Sequence, residues 1–336
     1  MFENSLMKGA RMNTESHIAP QLDLNFDETP FLVHVGLHKT ASTWLQQNVF
    51  AENDAGFFSP WGGMAHAAVT EFVGVDPIEF SPEQARINLA RQAKPIPANA
   101  RICVLSHESL SSRPKRGMYY APYVAQRIAD TFGNVRVLMI FREQKKMIFS
   151  LYGAFIRAGG RRTMREFLGT GDDDVGFAGL CKLPFFRYDR LYKMYQDMFG
   201  EGRVLALPLE LLARDADEFT RQICAFSGTE WQKFPTEKKA NAGWGALTCN
   251  IQRYTNQVMR YDRLKPKKGP ILYARRKSLT VFDKVMPKSM QDRAAAKWHQ
   301  QIADRVGDYY REGNAEFSKM LGMDLKEFGY DCAPGS

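Results

Sequence analysis

One stretch constrains the fold more than any other: Phe31-Leu32-Val33-His34-Val35-Gly36-Leu37-His38-Lys39-Thr40-Ala41-Ser42-Thr43-Trp44-Leu45-Gln46. It opens on residues that are apolar or favour β structure, enough for a buried parallel strand. At Gly36 a missing Cβ permits a tight turn. Trp44-Leu45 and Val49-Phe50 then recur at helical spacing, which predicts a helix starting near Ala41 or Ser42. The first turn of a helix carries unpaired N–H groups and a partial positive charge, and so attracts anions. Lys39 adds a full charge, and Thr40, Ser42 and Thr43 add hydroxyl donors. A strand, a lysine-bearing loop and a helix start together read as a phosphate cradle.

The register of this cradle is informative. The nucleoside-triphosphate loop needs Gly, four residues, then Gly-Lys-Ser/Thr. Counted from Gly36, that Gly-Lys pair would fall on Ala41 and Ser42, and the dinucleotide pattern G-x-G-x-x-G is absent as well. The stretch resembles instead the 5′-phosphosulfate loop of sulfotransferases that use 3′-phosphoadenosine 5′-phosphosulfate (PAPS), Gly-x-x-Lys-Thr/Ser-Gly-Thr/Ser-Thr-Trp-Leu. Gly36, Lys39, Thr40, Ser42, Thr43, Trp44 and Leu45 are in register. Ala41 stands where the family has glycine, which an alanine can replace if its φ is negative.

Further along, residues 101–106 form a second apolar strand that ends in His107-Glu108. Ligands of parallel sheets bind at the C-terminal ends of strands, so this pair either faces the chemistry or caps the next turn. Side chains alternate, so one of the two faces a cleft. Residues 135–141, followed by Arg142, and residues 203–207 read as third and fourth strands. Helical spacing appears over 123–132, 185–199, the segment before Gly228, and 292–321. Residues 54–97 read as a helical insertion with irregular loops, including a short helix capped by Ser81. The basic segments 157–165 and 263–277 read as solvated, with an acceptor contact as the functional alternative. Gly171-Asp172-Asp173-Asp174 lacks the ligand spacing of a calcium loop.

The resemblance implies roles for these residues. An arginine at the third strand's end and a serine eight residues on hold the cofactor's 3′-phosphate in the family; Arg142 and Ser150 match, followed by Leu151-Tyr152. Glu143-Gln144 stands where the family has Asp/Asn-Pro. A base at the second strand's end takes the acceptor proton, here Glu108 in preference to His107. Lys239, Asn241 and Gly243 correspond to the late loop that closes over the nucleotide, and Trp244 either stacks on adenine or joins the core. Lys39 with the N–H groups of Thr40, Ala41, Ser42, Thr43 and Trp44 would stabilise the departing 5′-phosphate. The ending Tyr309-Tyr310-Arg311-Glu312-Gly313-Asn314, then Phe328-Gly329-Tyr330, resembles carbohydrate-type members.

Composition agrees with this reading. The chain has 336 residues, a net charge of +9 and five widely spaced cysteines. The charge suits an anionic cofactor or an acidic saccharide, and no basic recognition motif with interleaved aromatics points to nucleic acid. Without a C-x-x-C pair, neither a zinc site nor a disulfide framework is expected, and reduced thiols fit the cytoplasm. No apolar run reaches the roughly 18 residues of a membrane span, and the Golgi anchor of many sulfotransferases is not apparent, so a bacterial cytoplasmic enzyme is expected. The expected organisation is a mobile tail over 1–28, with Met7 or Met12 as alternative starts, and one α/β domain over 29–330. That domain would have the P-loop-like sulfotransferase fold, a central, mainly parallel sheet flanked by helices. The function expected is metal-free transfer of a sulfuryl group from PAPS to an acceptor hydroxyl, with a saccharide or glycolipid as partner. The alternatives are a P-loop kinase of a small molecule and a non-catalytic nucleotide-binding protein.

Overall fold

Strands appear where the apolar runs predict them, and all those of the main sheet run parallel. A computed structural model of the chain describes residues 24–174, 176, 178–235, 243–258 and 269–334. The strands in chain order are β1 (Phe31–His34), β2 (Phe57–Phe58), β3 (Ile102–Ser106), β4 (Ser112–Arg113), β5 (Met118–Tyr119), β6 (Val135–Phe141) and β7 (Val204–Pro208). The central sheet has the order β2-β3-β1-β6-β7, while β4 and β5 form a separate antiparallel hairpin. Phe31 pairs with Cys103 of β3 on one side and Val135 of β6 on the other. β1 is therefore the centre of the sheet. From β1 the chain goes to the edge strand β2, returns to β3 beside β1 and then crosses to β6, which puts the switch in strand order beside β1.

Burial on both faces explains the continuous apolar reading of these strands. Phe31, Leu32 and Val33 are fully buried, as are Val137 to Phe141. Burying each such side chain is worth about 1.5–3 kcal/mol. The helices Ala121–Thr131, Gln144–Arg157, Tyr188–Phe199 and Ala216–Ser227 flank the sheet. Phe141 of β6 meets Tyr188, Phe317 and Tyr330 with ring centroids 4.8–5.7 Å apart, tying the sheet to the C-terminal helix Arg311–Leu321 and the segment after it.

Three expectations need correction. Residues 54–97 contain β2, which adds an edge strand to the sheet; two residues are too few to show a period of two. Their helix Pro82–Gln92 does start at Ser81, whose Oγ accepts from Gln84 N at 3.2 Å. Within the expected tail, residues 24–28 are described, and Leu24 and Phe26 are buried, Phe26 lying 5.5 Å from the Phe132 ring. The basic run 263–277 is in part helical, since the helix Pro270–Val285 begins inside it; residues 259–268 lie outside the described set. All five cysteines are buried free thiols. Among the described residues no helix is long and apolar enough to cross a membrane.

Candidate active site

The topology brings the ends of β1, β3 and β6 side by side. The chain leaves β1 through residues 35–41, leaves β3 at His107-Glu108 and leaves β6 at Arg142. Adjacent strands lie about 4.8 Å apart, so these exits share one edge of the sheet.

The β1 loop is held by a buried polar network. His34 Nδ1 lies 2.8 Å from Ser106 Oγ, and Gln46 Nε2 donates to Ser106 O (3.2 Å) and Oγ (3.1 Å). This links β1, β3 and the helix Ser42–Asn48. Gly36 is required here, because a Cβ would sit 2.9 Å from Ser42 Oγ and 3.0 Å from the His34 ring. Thr40 is fully buried and its hydroxyl donates to Leu37 O at 2.5 Å. It therefore closes the loop, and its main-chain N–H is what it has left to offer an anion. Ser42 is also buried, but its Oγ has no partner.

Lys39 (φ 71°) and Ala41 (φ 59°) are the non-glycine residues with positive φ among the described residues. The condition under which alanine could replace the glycine without strain, a negative φ, is therefore not met at Ala41. A left-handed residue followed by helical Ser42 turns successive N–H groups toward one concavity, and no side chain caps that first turn. The left-handed conformation costs a non-glycine residue roughly 1–2 kcal/mol. Ala41→Gly should therefore raise stability by roughly 0.5–1 kcal/mol once the added chain entropy is subtracted. Thermal or urea unfolding reads this directly, and a loss of stability would contradict the backbone geometry.

Positive charge accumulates around this loop. The amine of half-buried Lys39 is pushed below its usual range by burial first, then by Arg157, Arg142 and Lys115, with Glu108 opposing. Among the described residues no ion pair involves Lys39, Arg142, Arg157 or Lys115. Arg142 is held through its main chain, since Tyr188 Oη donates to Arg142 O at 2.8 Å. Glu143 caps the helix Gln144–Arg157, accepting from Lys145 N (2.9 Å) and Lys146 N (2.8 Å). The helix after β6 thus starts on a glutamate cap. Ser150 lies on this helix seven residues before Arg157, hence on one face with it. No described contact joins Ser150 to Arg142.

The two candidate bases separate. His107 Nδ1 accepts from Ser109 N at 2.9 Å and caps the turn Glu108–Leu110. Burial holds the His107 ring down at about 4. Glu108, 40% exposed, lies with Oε1 3.1 Å from His38 Nδ1. That contact holds its carboxyl at about 2, well below the usual range. His34, fully buried, is lowered to about 3 by desolvation. Both imidazoles are thus neutral when folded, and unfolding lets each bind a proton below pH 6.5. Stability should fall as pH drops from 6.5 to about 4, by about 1.4 kcal/mol per pH unit for each proton. Urea unfolding at stepped pH checks this; a flat profile would mean the rings are solvated.

The late loop is partly visible. Gly243 packs on Arg157, where a Cβ would meet Nη1 at 2.6 Å. Lys239 and Asn241 lie outside the described residues. Trp244 Nε1 donates to Thr280 Oγ1 at 3.2 Å and the ring packs against the core, which favours its structural role. Trp44 Nε1 donates to Pro235 O at 3.2 Å, tying the β1 loop to the chain just before the late loop. Arg157, Lys115 and His38 were missed by sequence reasoning. Arg157 had a signal in its spacing from Ser150; the other two had none.

The structure is similar to the sulfotransferase from Alicyclobacillus acidocaldarius, with 18% identity over 89% of this chain and 98% of that one and a TM-score of 0.50. The fold is thus one that a sulfotransferase also adopts. A sulfotransferase domain from the curacin biosynthetic pathway also aligns, at 12% identity over 61% of this chain and 75% of that one, with a TM-score of 0.33. No family model and no curated protein matches the chain.

Proposed function

We propose that the chain is a sulfotransferase that moves a sulfuryl group from PAPS to an acceptor hydroxyl by in-line displacement. The observation that supports this most is the set Lys39, Arg142, Arg157 and Lys115, gathered at the C-terminal edge of the sheet without carboxylate partners among the described residues. Four like charges brought together, with Glu108 alone opposing them and no direct ion pair among the described residues, call for an anionic ligand. The orphaned Ser42 Oγ, at a helix start that no side chain caps, adds a buried donor.

In this reading Lys39 and the N–H groups of residues 40–44, from Thr40 to Trp44, meet the 5′-phosphate oxygen as it gains charge. Arg142, with Ser150, takes the 3′-phosphate through its planar fork. Gly243 lets the late loop approach through Arg157, and Lys239 and Asn241 belong to that loop. Glu108 accepts the hydroxyl proton as the acceptor oxygen bonds to sulfur and the bond from sulfur to the 5′-phosphate breaks. The products are a sulfate ester and adenosine 3′,5′-bisphosphate. The saccharide or glycolipid class of the acceptor rests on the sequence resemblance.

Binding of adenosine 3′,5′-bisphosphate tests the donor. It should protect the protein from thermal unfolding, whereas ATP–Mg²⁺ should not. Protection by ATP–Mg²⁺ alone would favour a kinase. Radiosulfate transfer from PAPS into cell extracts and glycan panels then finds the acceptor, and nucleotide binding without any transfer would favour a non-catalytic protein.

A further inference from the structure

We propose that His38 is a positioning residue whose ring clamps Glu108, so that the carboxylate's second oxygen is aimed at the acceptor hydroxyl. The inference rests on the sulfotransferase reading above but starts from separate geometry. His38 is 6% exposed, and each ring nitrogen has an oxygen in reach: Nδ1 lies 3.1 Å from Glu108 Oε1, and Nε2 lies 3.0 Å from Ser112 O of β4. A carbonyl only accepts, and so does a carboxylate. A ring between two acceptors satisfies both only with a proton on each nitrogen.

The clamp spans three elements. His38 belongs to the loop after β1, Glu108 to the turn after β3, and Ser112 to the hairpin. Ser111 Oγ donates to Gly36 O at 3.3 Å and closes the same frame from the other side. Glu108 thus has one oxygen fixed, while its partial exposure leaves the other accessible from the cleft. The remaining charged or titratable groups around the pair are His107, His66, Arg113, Lys115, Lys39 and His34. None of them makes a hydrogen bond or ion pair to the Glu108 carboxylate among the described residues, so its orientation depends on His38.

This arrangement favours orientation over base strength. A carboxylate paired with an imidazolium is a weaker base than a free one, yet it stays ionised at every working pH. In the transfer the acceptor proton moves to the free Glu108 oxygen as the new oxygen–sulfur bond forms and the bond to the 5′-phosphate breaks. His38 keeps both its protons throughout. Misplacement of a reacting group by about 1 Å can cost roughly 10²-fold, so loss of orientation should outweigh the gain in basicity.

Two measurements test the clamp. Ring-nitrogen NMR of His38 should find both nitrogens protonated near neutral pH in the wild type, and only one in Glu108→Gln. A singly protonated wild-type ring would overturn the proposal. In radiosulfate transfer, His38→Ala should lose roughly 10²-fold in kcat, while the Kd for adenosine 3′,5′-bisphosphate stays within about threefold. The acid limb of its kcat profile should rise from about 2 toward the ordinary carboxylate range, because the contact that lowers the Glu108 carboxyl most is removed. His38→Asn, which keeps a donor near the Nδ1 position, should recover part of the rate. Equal losses of kcat and nucleotide affinity, with no movement of the acid limb, would make His38 merely structural and overturn the proposal. A wild type that neither binds adenosine 3′,5′-bisphosphate nor transfers sulfate would defeat the sulfotransferase reading and the catalytic role with it. The ring NMR would still report whether the clamp itself exists.

Discussion

Lys39→Ala should lower sulfuryl transfer from PAPS by roughly 10²–10³-fold, equivalent to about 2.7–4 kcal/mol, the usual cost of removing one donor placed where charge develops. Affinity for adenosine 3′,5′-bisphosphate should fall much less, because Arg142, Arg157 and the main-chain donors remain. The reason lies in when the charge appears. A group that meets the leaving oxygen chiefly as its bond to sulfur breaks contributes to kcat rather than to binding. Single-turnover transfer and calorimetric binding of the spent nucleotide measure the two effects separately; equal losses would restrict Lys39 to binding.

The stability of the same variant provides an independent check. Lys39 is half-buried among Arg157, Arg142 and Lys115, all of which disfavour its charged form. Its left-handed backbone is also strained. Removing the amine relieves repulsion in the free protein, so Lys39→Ala should leave thermal stability unchanged or raise it. Loss of turnover without loss of stability is the expected signature of a residue kept for function. A variant that loses both would indicate a structural lysine.

The sequence reveals the sheet better than it reveals the site. β1, β3, β6 and β7 are buried on both faces, so their apolar runs stand out, and their ends locate Glu108 and Arg142 without any structure. β2 is hidden because Phe57-Phe58 is too short to carry a period. Ala41 shows the limit of reading motifs by residue type. The sequence records an alanine in a glycine position, but the sign of φ follows from how the loop closes through Thr40 and Leu37. His38 and Lys115 are invisible for a related reason. Their partners are more than 60 residues away or on another loop, and nothing in local spacing encodes such a meeting. Glu143 is the converse case. Its role as helix cap, accepting from Lys145 N and Lys146 N, follows from its place two and three residues before those N–H groups and is readable from the sequence.

Arg142→Ala should weaken binding of adenosine 3′,5′-bisphosphate by roughly 10- to 150-fold, the range of a hydrogen bond to a charged group, about 1.5–3 kcal/mol. Adenosine 5′-monophosphate, which lacks the 3′-phosphate, should lose little. The fold should survive the change, because Tyr188 anchors the main-chain oxygen of residue 142 and Glu143 caps the next helix, and neither contact uses the guanidinium. Arg142→Lys should recover only part of the affinity, since an ammonium keeps the charge but not the two-pronged geometry. Calorimetric titration of both nucleotides against all three proteins checks this. A uniform loss for both nucleotides would mean that Arg142 contributes only to the general positive field of the cleft, and would remove its proposed role at a 3′-phosphate.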